Sequence, residues 1–177
     1  MKNQIKNSLS YTGIVTLSQY IGTKKVKIAQ IHNTGGASLF EFLEDCFTGN
    51  IEQAQLKKPA KIKLLHLTPL SERESDGYRI SSASTGFIGL YSQPPASQSN
   101  SAGCHITYSF LIHRDQLDSL AGMSNLGLGL YPFNTENTET GIYEYIALCK
   151  LNFSNSTILS SSSLIVDWEL IVSNSTN

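Results

Sequence analysis

The chain has 177 residues, of which 15% are charged, and a formal net charge of −1. This length is enough for one domain with a hydrophobic core. The near-neutral balance argues against a disordered chain and against a protein whose main task is binding nucleic acid. The charges are unevenly divided, because residues 1–63 hold nine Lys/Arg and four Asp/Glu, whereas residues 64–177 hold four and ten. Such a division suits a protein that meets copies of itself or an oppositely charged neighbour, although chance gives similar numbers for so few charges.

Neither export nor membrane insertion is expected from the sequence. The opening segment MKNQIKNSLSYTG lacks the apolar core of a signal peptide. No apolar run approaches the roughly 20 residues that a transmembrane helix needs. Cys46, Cys104 and Cys149 are widely spaced and form no CxxC pair. We therefore expect reduced thiols in a protein made in the cytoplasm, rather than a disulfide framework.

Residues 1–67 predict a compact α+β front half. SLSYTGIVTLSQY and VKIAQI, separated by the glycine-containing IGTKK, predict a β-hairpin over residues 9–32. A helix should follow, with one apolar face at positions i, i+3, i+4 and i+7, formed by Leu39, Phe42, Leu43 and Cys46. Gly49 should end this helix. A second short helix in NIEQAQLKK completes a helical insertion near residues 38–58, and KIKLLHL returns as a strand.

The rest of the chain predicts β structure. Residues 68–104 are dense in turn-forming residues and predict a loop-rich connection or projecting arm with one strand, GFIGLYS. HITYSFLI, LGLGLYPF, IYEYIALCKL and SLIVDWELIVS predict further strands, with a short helix or loop in RDQLDSLAGMSN. The fold predicted for residues 1–177 is a single, mainly β domain. Its architecture is an antiparallel β-sandwich with the short helical insertion.

Asp167 and Glu169, on either side of Trp168, are the first candidates for catalysis. Residues i and i+2 of a strand point the same way, with Cα atoms about 6.6–6.8 Å apart. The two carboxyls of an inverting glycosidase stand roughly 6.5–9.5 Å apart, so the spacing alone does not exclude such a pair. The opposite face is an unbroken apolar stripe made of Leu164, Val166, Trp168, Leu170 and Val172. We therefore interpret the two carboxylates as the solvated side of an ordinary amphipathic strand.

The four histidines do not predict a metal site. His105 and His113 lie eight residues apart in an extended segment, or about 26 Å, which is too far for one metal ion. His32 and His66 would be neighbours only if VKIAQIH and KIKLLHL pair. Two imidazoles without a third ligand make a weak case for zinc, so we interpret each as a histidine at the end of a strand.

The cysteines are not expected to act as nucleophiles. Cys46 on the helix face and Cys149 within a strand are predicted to be small buried hydrophobic residues. Cys104 and His105 are consecutive on a strand and point to opposite faces, which does not suit a catalytic dyad. The sequence contains neither a phosphate-binding glycine loop nor a G-x-S-x-G elbow. Together these observations predict a protein that is not an enzyme, with no catalytic residue, no cofactor and no metal.

The lysines of the front half suggest a basic surface. Lys24, Lys25 and Lys27 would join Lys57, Lys58, Lys61 and Lys63 if the two lysine-bearing strands lay side by side. Nucleic-acid binding would need aromatic side chains for stacking on the same face, and the pattern shows none. We therefore expect no direct contact with nucleic acid, and interpret these lysines as a solvated sheet face or a docking patch for an acidic partner.

Several segments resemble those of small structural proteins of tailed bacteriophage virions. They are the opening YTGIVTLSQYIG to KIAQIHNTGGASLFEFLEDCFTGN, the pair LGLGLYPF and YIALCKL around a polar loop, and the closing SLIVDWELIVSN. The resemblance covers most of the chain without identifying one family, or a place in head, neck, tail or fibre. It implies a non-enzymatic protein that is made in the host cytoplasm. It also implies incorporation into the virion in several copies, with itself and other virion proteins as partners and without a membrane.

A carbohydrate-binding β-sandwich module is the alternative function. Sandwiches of this kind often present aromatic side chains from loops, and the candidate ligand-contact residues are Tyr91, Tyr131 and Phe133. All three lie close to prolines or polar turns. The interpretation that we favour for each is an ordinary core aromatic at the end of a strand. Exposure of the rings to solvent is the feature that separates the two interpretations.

Overall fold

Antiparallel strands make up most of the structure. The computed structural model describes residues 8–35, 37–69, 78–83, 88–89, 96–100, 103–118, 126–132, 145–151 and 162–175. The helices within these ranges are α1 (Ala37–Thr48), α2 (Ile51–Lys57) and α3 (Arg114–Asp118). The strands are β1 (Ser8–Ile21), β2 (Lys24–Gly35), β3 (Pro59–Pro69), β4 (Tyr78–Ala83), β5 (Ile88–Gly89), β6 (Ala96–Asn100), β7 (Gly103–Ile112), β8 (Leu126–Pro132), β9 (Ala147–Lys150) and β10 (Leu164–Ser175).

The strands form two antiparallel sheets that share strand β2. One sheet has the order β2-β1-β10-β7-β6, and the other has the order β4-β3-β8-β9, with β5 also paired to β3. The last two residues of β2, Thr34 and Gly35, pair with β9 and so join the sheets. Helices α1 and α2 are inserted between β2 and β3. The predicted antiparallel β-sandwich and its helical insertion are confirmed.

The β1–β2 hairpin follows directly from the local sequence. Gly22 has a φ of 63°, in the left-handed region that glycine adopts without steric cost, and it forms a two-residue turn with Thr23. Gly49, with a φ of 75°, occupies the end of α1 in the same way. The hairpin and the end of the first helix were both predicted from these glycines, and both are confirmed.

The core lies between the two sheets. β10 alternates as predicted, with Trp168 fully buried between Val166 and Leu170, while Asp167 and Glu169 lie on the other, half-buried face. The opposing sheet contributes side chains from β3, β8 and β9, and the helices contribute one buried leucine each from α1 and α3. The fully buried side chains of this shared core include Val15, Leu17, Ile62, Leu64, Phe110, Ile112, Leu128, Leu130, Ile146 and Val166. Burying an aliphatic or aromatic side chain of this size contributes about 1.5–3 kcal/mol.

The side-by-side arrangement of β2 and β3, which the sequence left open, does not occur. β2 and β3 do not pair, because β8 and β9 lie between them in the sheet order. The lysines of β2 and β3 therefore form no continuous surface on adjacent strands, and the strands that carry His32 and His66 are not neighbours. The alternation of apolar residues specifies which face of a strand is buried, but it does not specify which strand pairs with which.

The middle of the chain contains more strand than the sequence indicated. Within residues 68–104, the described segments include β4, β5 and β6, whereas only the strand around β5 was predicted. β6 pairs with β7 at the edge of its sheet, and its sequence is ASQSN. Pairing at a sheet edge is made by backbone hydrogen bonds and needs no apolar face, so a polar segment of this kind has no pattern that signals a strand.

Candidate interaction surfaces

The polar face of β10 carries three contacts to other strands. Lys25 Nζ donates to Asp167 Oδ2 over 2.7 Å, and Ser109 Oγ donates to Asp167 Oδ1 over 2.7 Å. His105 Nε2 lies 2.9 Å from Glu169 Oε2. Asp167 and Ser109 are directly opposite each other in the β10–β7 register. These contacts tie β10 to β7 and to β2.

This arrangement favours the structural interpretation of the two carboxylates. Each one is engaged with its own partners on other strands, Asp167 with Lys25 of β2 and Ser109 of β7, and Glu169 with His105 of β7. The two groups thus hold separate strand contacts and do not converge on one common position. Catalysis by a general acid and a general base needs two groups that are directed at the same bond of the substrate.

The histidines and cysteines are likewise not assembled into a site. In the described part of the chain, no group of three or more His, Cys, Asp or Glu side chains is placed to hold a metal ion. Cys149 is fully buried, and this burial raises the pKa of its thiol to about 12, as befits a small core residue. Cys104 is half-buried.

Cys46 departs from its predicted position, because it is exposed rather than buried. In α1, Leu39 belongs to the core and Leu43 packs against it. Cys46, almost one turn beyond Leu43, lies past the edge of that contact. A helix face is buried only as far as there is a surface opposite it, so the i+7 position of a predicted face is the first to be lost.

Of the three aromatic residues predicted as possible sugar contacts, the structure describes only Tyr131. The side chain of Tyr131 is 6% exposed, so its ring is buried and is not presented to solvent, although it lies on the face of β8 opposite the core residues Leu128 and Leu130. A Cβ atom added to Gly129 would lie 2.6 Å from Tyr131 Cε2 and 3.0 Å from Leu65 Cδ1. The tyrosine ring thus occupies the space that a side chain at Gly129 would fill, and β8 needs a glycine there. Tyr91 and Phe133 lie outside the described residues.

Helices α1 and α2 form a small unit held by charged contacts. Lys57 Nζ lies 2.8 Å from Asp45 Oδ2 and 3.5 Å from Glu41 Oε2. The hydrogen bond to Asp45, followed by the charges of Asp45 and Glu41, raises the pKa of Lys57. Ala54 of α2 is buried. These contacts hold the second helix against the first.

The outer surface of this helical unit is apolar. Phe40, Phe47 and Ile51 are 65%, 70% and 67% exposed. Phe40, Glu44 and Phe47 follow the i, i+4, i+7 spacing of one helix face, which is turned away from Leu39 and Leu43. Ile51 opens α2, and its neighbour Glu52 is exposed. We call Phe40, Glu44, Phe47, Ile51 and Glu52 the helix patch.

A second apolar surface lies at the end of the β1–β2 hairpin. Tyr20 and Ile21 are 51% and 54% exposed, and Val26 is also exposed. The pairing of β1 with β10 ends at Gln19 and Leu164, and Ser162 Oγ donates to the backbone oxygen of Tyr20 just beyond that point. Lys24, Lys25 and Lys27 are exposed around these apolar side chains. We call residues 20–27 the hairpin tip.

The sequence pattern had not singled out either surface, although a signal was present for the first. Phe40 and Phe47 repeat at seven residues, as Leu39 and Cys46 do, so α1 has two apolar rows. A helix with two such rows needs two covering surfaces. One row packs on the core, and the other is the helix patch.

Comparison of the chain with known protein families, with curated proteins and with solved structures found no match. Within the residues that the structure describes, no helix has the length and apolar composition needed to cross a membrane. The case for function therefore rests on the chain's own surfaces, and above all on the two exposed apolar ones.

Proposed function

We propose that this chain is a non-enzymatic structural component of a tailed-bacteriophage virion that acts by docking to other proteins. The observation that carries the proposal is the helix patch, in which Phe40, Phe47 and Ile51 are each about two-thirds exposed on a helical unit attached to a sandwich. Clustered apolar side chains on a protein surface mark interaction sites. Covering side chains of this size contributes about 1.5–3 kcal/mol each.

The polar face of β10 adds support. The carboxylates of Asp167 and Glu169 are engaged in contacts between strands, so these groups serve the sheet. The resemblance of the chain's segments to virion structural proteins supplies the biological setting. In this proposal the chain is made in the host cytoplasm, is incorporated into the particle in several copies, and binds itself and other virion proteins.

The composition of purified particles tests the proposal. Particles of the phage that encodes the chain are banded in a density gradient and analysed by quantitative mass spectrometry. We expect the chain in the particle band at several copies per particle. Its recovery only in the free-protein fractions would contradict the proposal.

A variant of the helix patch tests whether this surface is needed for incorporation into the particle. Phe40→Ser with Phe47→Ser removes apolar area that is already exposed, so the chain should fold but be depleted from the particles. The matched control is Gln53→Ser with Gln55→Ser, which changes two exposed polar residues of the same helical unit. This control should be incorporated like the wild type.

A further inference from the structure

The hairpin tip and the helix patch are complementary in charge. Between residues 20 and 27 the chain has three lysines and no acidic residue, whereas between residues 37 and 58 it has four acidic residues and two lysines. Lys24 and Lys27 of the tip are exposed, as are Glu44 and Glu52 of the patch. Each surface thus combines exposed apolar side chains with charges opposite to those of the other, which is the arrangement that selects a specific partner.

β2 separates the hairpin tip from the start of the helical unit within one molecule. β2 begins at the hairpin tip with Lys24 and ends at Gly35, just before α1. Its 12 residues span about 36 Å at the rise of an extended strand. Pairing with β1 on one side, and with β9 at its far end, keeps β2 extended. The tip therefore lies at the far end of β2 from the start of α1, and it is free to meet the patch of another copy.

We propose that the hairpin tip of one copy docks on the helix patch of the next, so that the chain assembles head to tail. This inference rests on the proposed function, since it names the partner of the same helix patch. Ile21 and Val26 cover Phe40 and Phe47, while Lys24, which shares their face of the hairpin, lies opposite the carboxylates of the patch. Each copy uses a different surface towards each of its two neighbours, and such a contact closes into a ring or continues as a filament.

Sedimentation velocity on the full chain gives the first test. The weight-average mass should rise above the 19.4 kDa of one chain as concentration increases. It should fall again in high salt, because salt reduces the Debye length from about 8 Å at physiological ionic strength to about 3 Å at 1 M. A chain that stays monomeric at every concentration would overturn the inference.

Charge reversal tests the pairing of the two surfaces. K24E/K27E makes the tip acidic, and E44K/E52K makes the patch basic, so each variant alone brings like charges together and should lose assembly. An equimolar mixture should recover it, because alternating copies place opposite charges at every contact. A chain with all four substitutions should assemble by itself, and it has the same net charge as the wild type. Assembly of either single-surface variant at wild-type strength would overturn the inference.

Variants that each keep only one of the two docking surfaces test the direction of the contact. I21D removes a functional tip and F47D removes a functional patch, and circular dichroism shows whether each variant is folded. Their mixture should stop at a one-to-one dimer, since one intact tip and one intact patch remain. Longer assemblies from the mixture would contradict head-to-tail docking.

Failure of this inference can be distinguished from failure of the proposed function. If particles contain the chain but the isolated wild type never self-associates, this inference is overturned and the proposed function still stands.

Discussion

Asp167 and Trp168 are consecutive in the chain but lie on opposite faces of β10. Trp168 is fully buried in the core between the sheets, whereas Asp167 binds Lys25 and Ser109 on the outer face of its sheet. The strand is therefore amphipathic in the ordinary sense, and its carboxylates brace neighbouring strands. The outer face of β10 thus serves contacts within the sheet, and the exposed apolar surfaces are the better candidates for a functional role.

Substitutions at these two neighbouring residues should differ sharply in their effect on stability. Trp168→Ala should lower the free energy of unfolding by about 3–5 kcal/mol, as removal of a large core side chain does. Asp167→Asn should lower it by less than about 1 kcal/mol, because an ion pair at a partly exposed site contributes little. Urea unfolding measures both values. Equal losses for the two variants would show that the outer face of β10 is as important to the fold as the core.

Tyr131 should behave as a core residue rather than as a sugar ligand. Tyr131→Ala should cost about 3 kcal/mol of stability, because the ring fills the space beside Gly129 and Leu65. Tyr131→Phe keeps the ring and is the matched control, with a much smaller loss. Thermal unfolding and a glycan array on both variants test this expectation. Sugar binding that is lost in Tyr131→Ala with stability unchanged would revive the carbohydrate-binding alternative.

Gly13 should not tolerate a side chain while Asn33 is present. A Cβ at Gly13 would overlap the side-chain amide of Asn33, whose Oδ1 accepts a hydrogen bond from Tyr11 over 2.9 Å. Gly13→Ala should therefore cost about 1–3 kcal/mol, as overpacking does. Adding Asn33→Ala should recover part of this loss, and a double-mutant cycle measures the coupling between the two positions. Strictly additive effects would show that Asn33 is not what excludes the methyl group.

Stability should fall in strongly alkaline solution because of two buried tyrosines. Burial raises the pKa of Tyr11 and of Tyr108 from 10.0 to about 12. Between these values the unfolded chain has released phenolic protons that the folded chain still holds, so the unfolded state binds fewer protons. The free energy of unfolding must then decrease as pH rises through this interval. Below pH 10.0 this contribution is fully present.

Urea midpoints measured across this pH interval test the expectation. Tyr108→Phe removes one of the two groups and should flatten the dependence. A midpoint that is independent of pH over the same interval would show that these hydroxyls titrate normally in the folded chain.

The sequence predicted local features and burial well, because these depend on residues close in the chain. Gly22 and Gly49 marked the hairpin turn and the helix end, and the alternation around Trp168 marked the buried face of β10. Strand partners were not predictable in the same way. β2 lies beside β1 and β9, and the residues of β2 alone did not decide whether β3 was also its neighbour, since the choice of partner depends on packing of the whole sandwich.

The interaction surfaces were hidden for a related reason. From sequence alone, an apolar residue in a helix is predicted to be buried. Only the structure shows how much of the helix the rest of the protein covers. Cys46 is exposed because the core contact of α1 is centred on Leu39 and reaches only as far as Leu43, and Phe47 is exposed because it lies, with Phe40, on a row of the helix that this contact does not cover. The same limit on burial that made the assignment of Cys46 wrong creates the helix patch.

The central claim is that copies of the chain dock through the two apolar surfaces. Cross-linking of isotopically mixed protein tests this claim most directly. Labelled and unlabelled chains are mixed, assembled and treated with a carbodiimide, which joins a lysine to a carboxylate in contact with it. We expect links from Lys24 to Glu44 or Glu52, half of them between a labelled and an unlabelled chain. Links confined to single chains, or links between copies at other surfaces only, would contradict it.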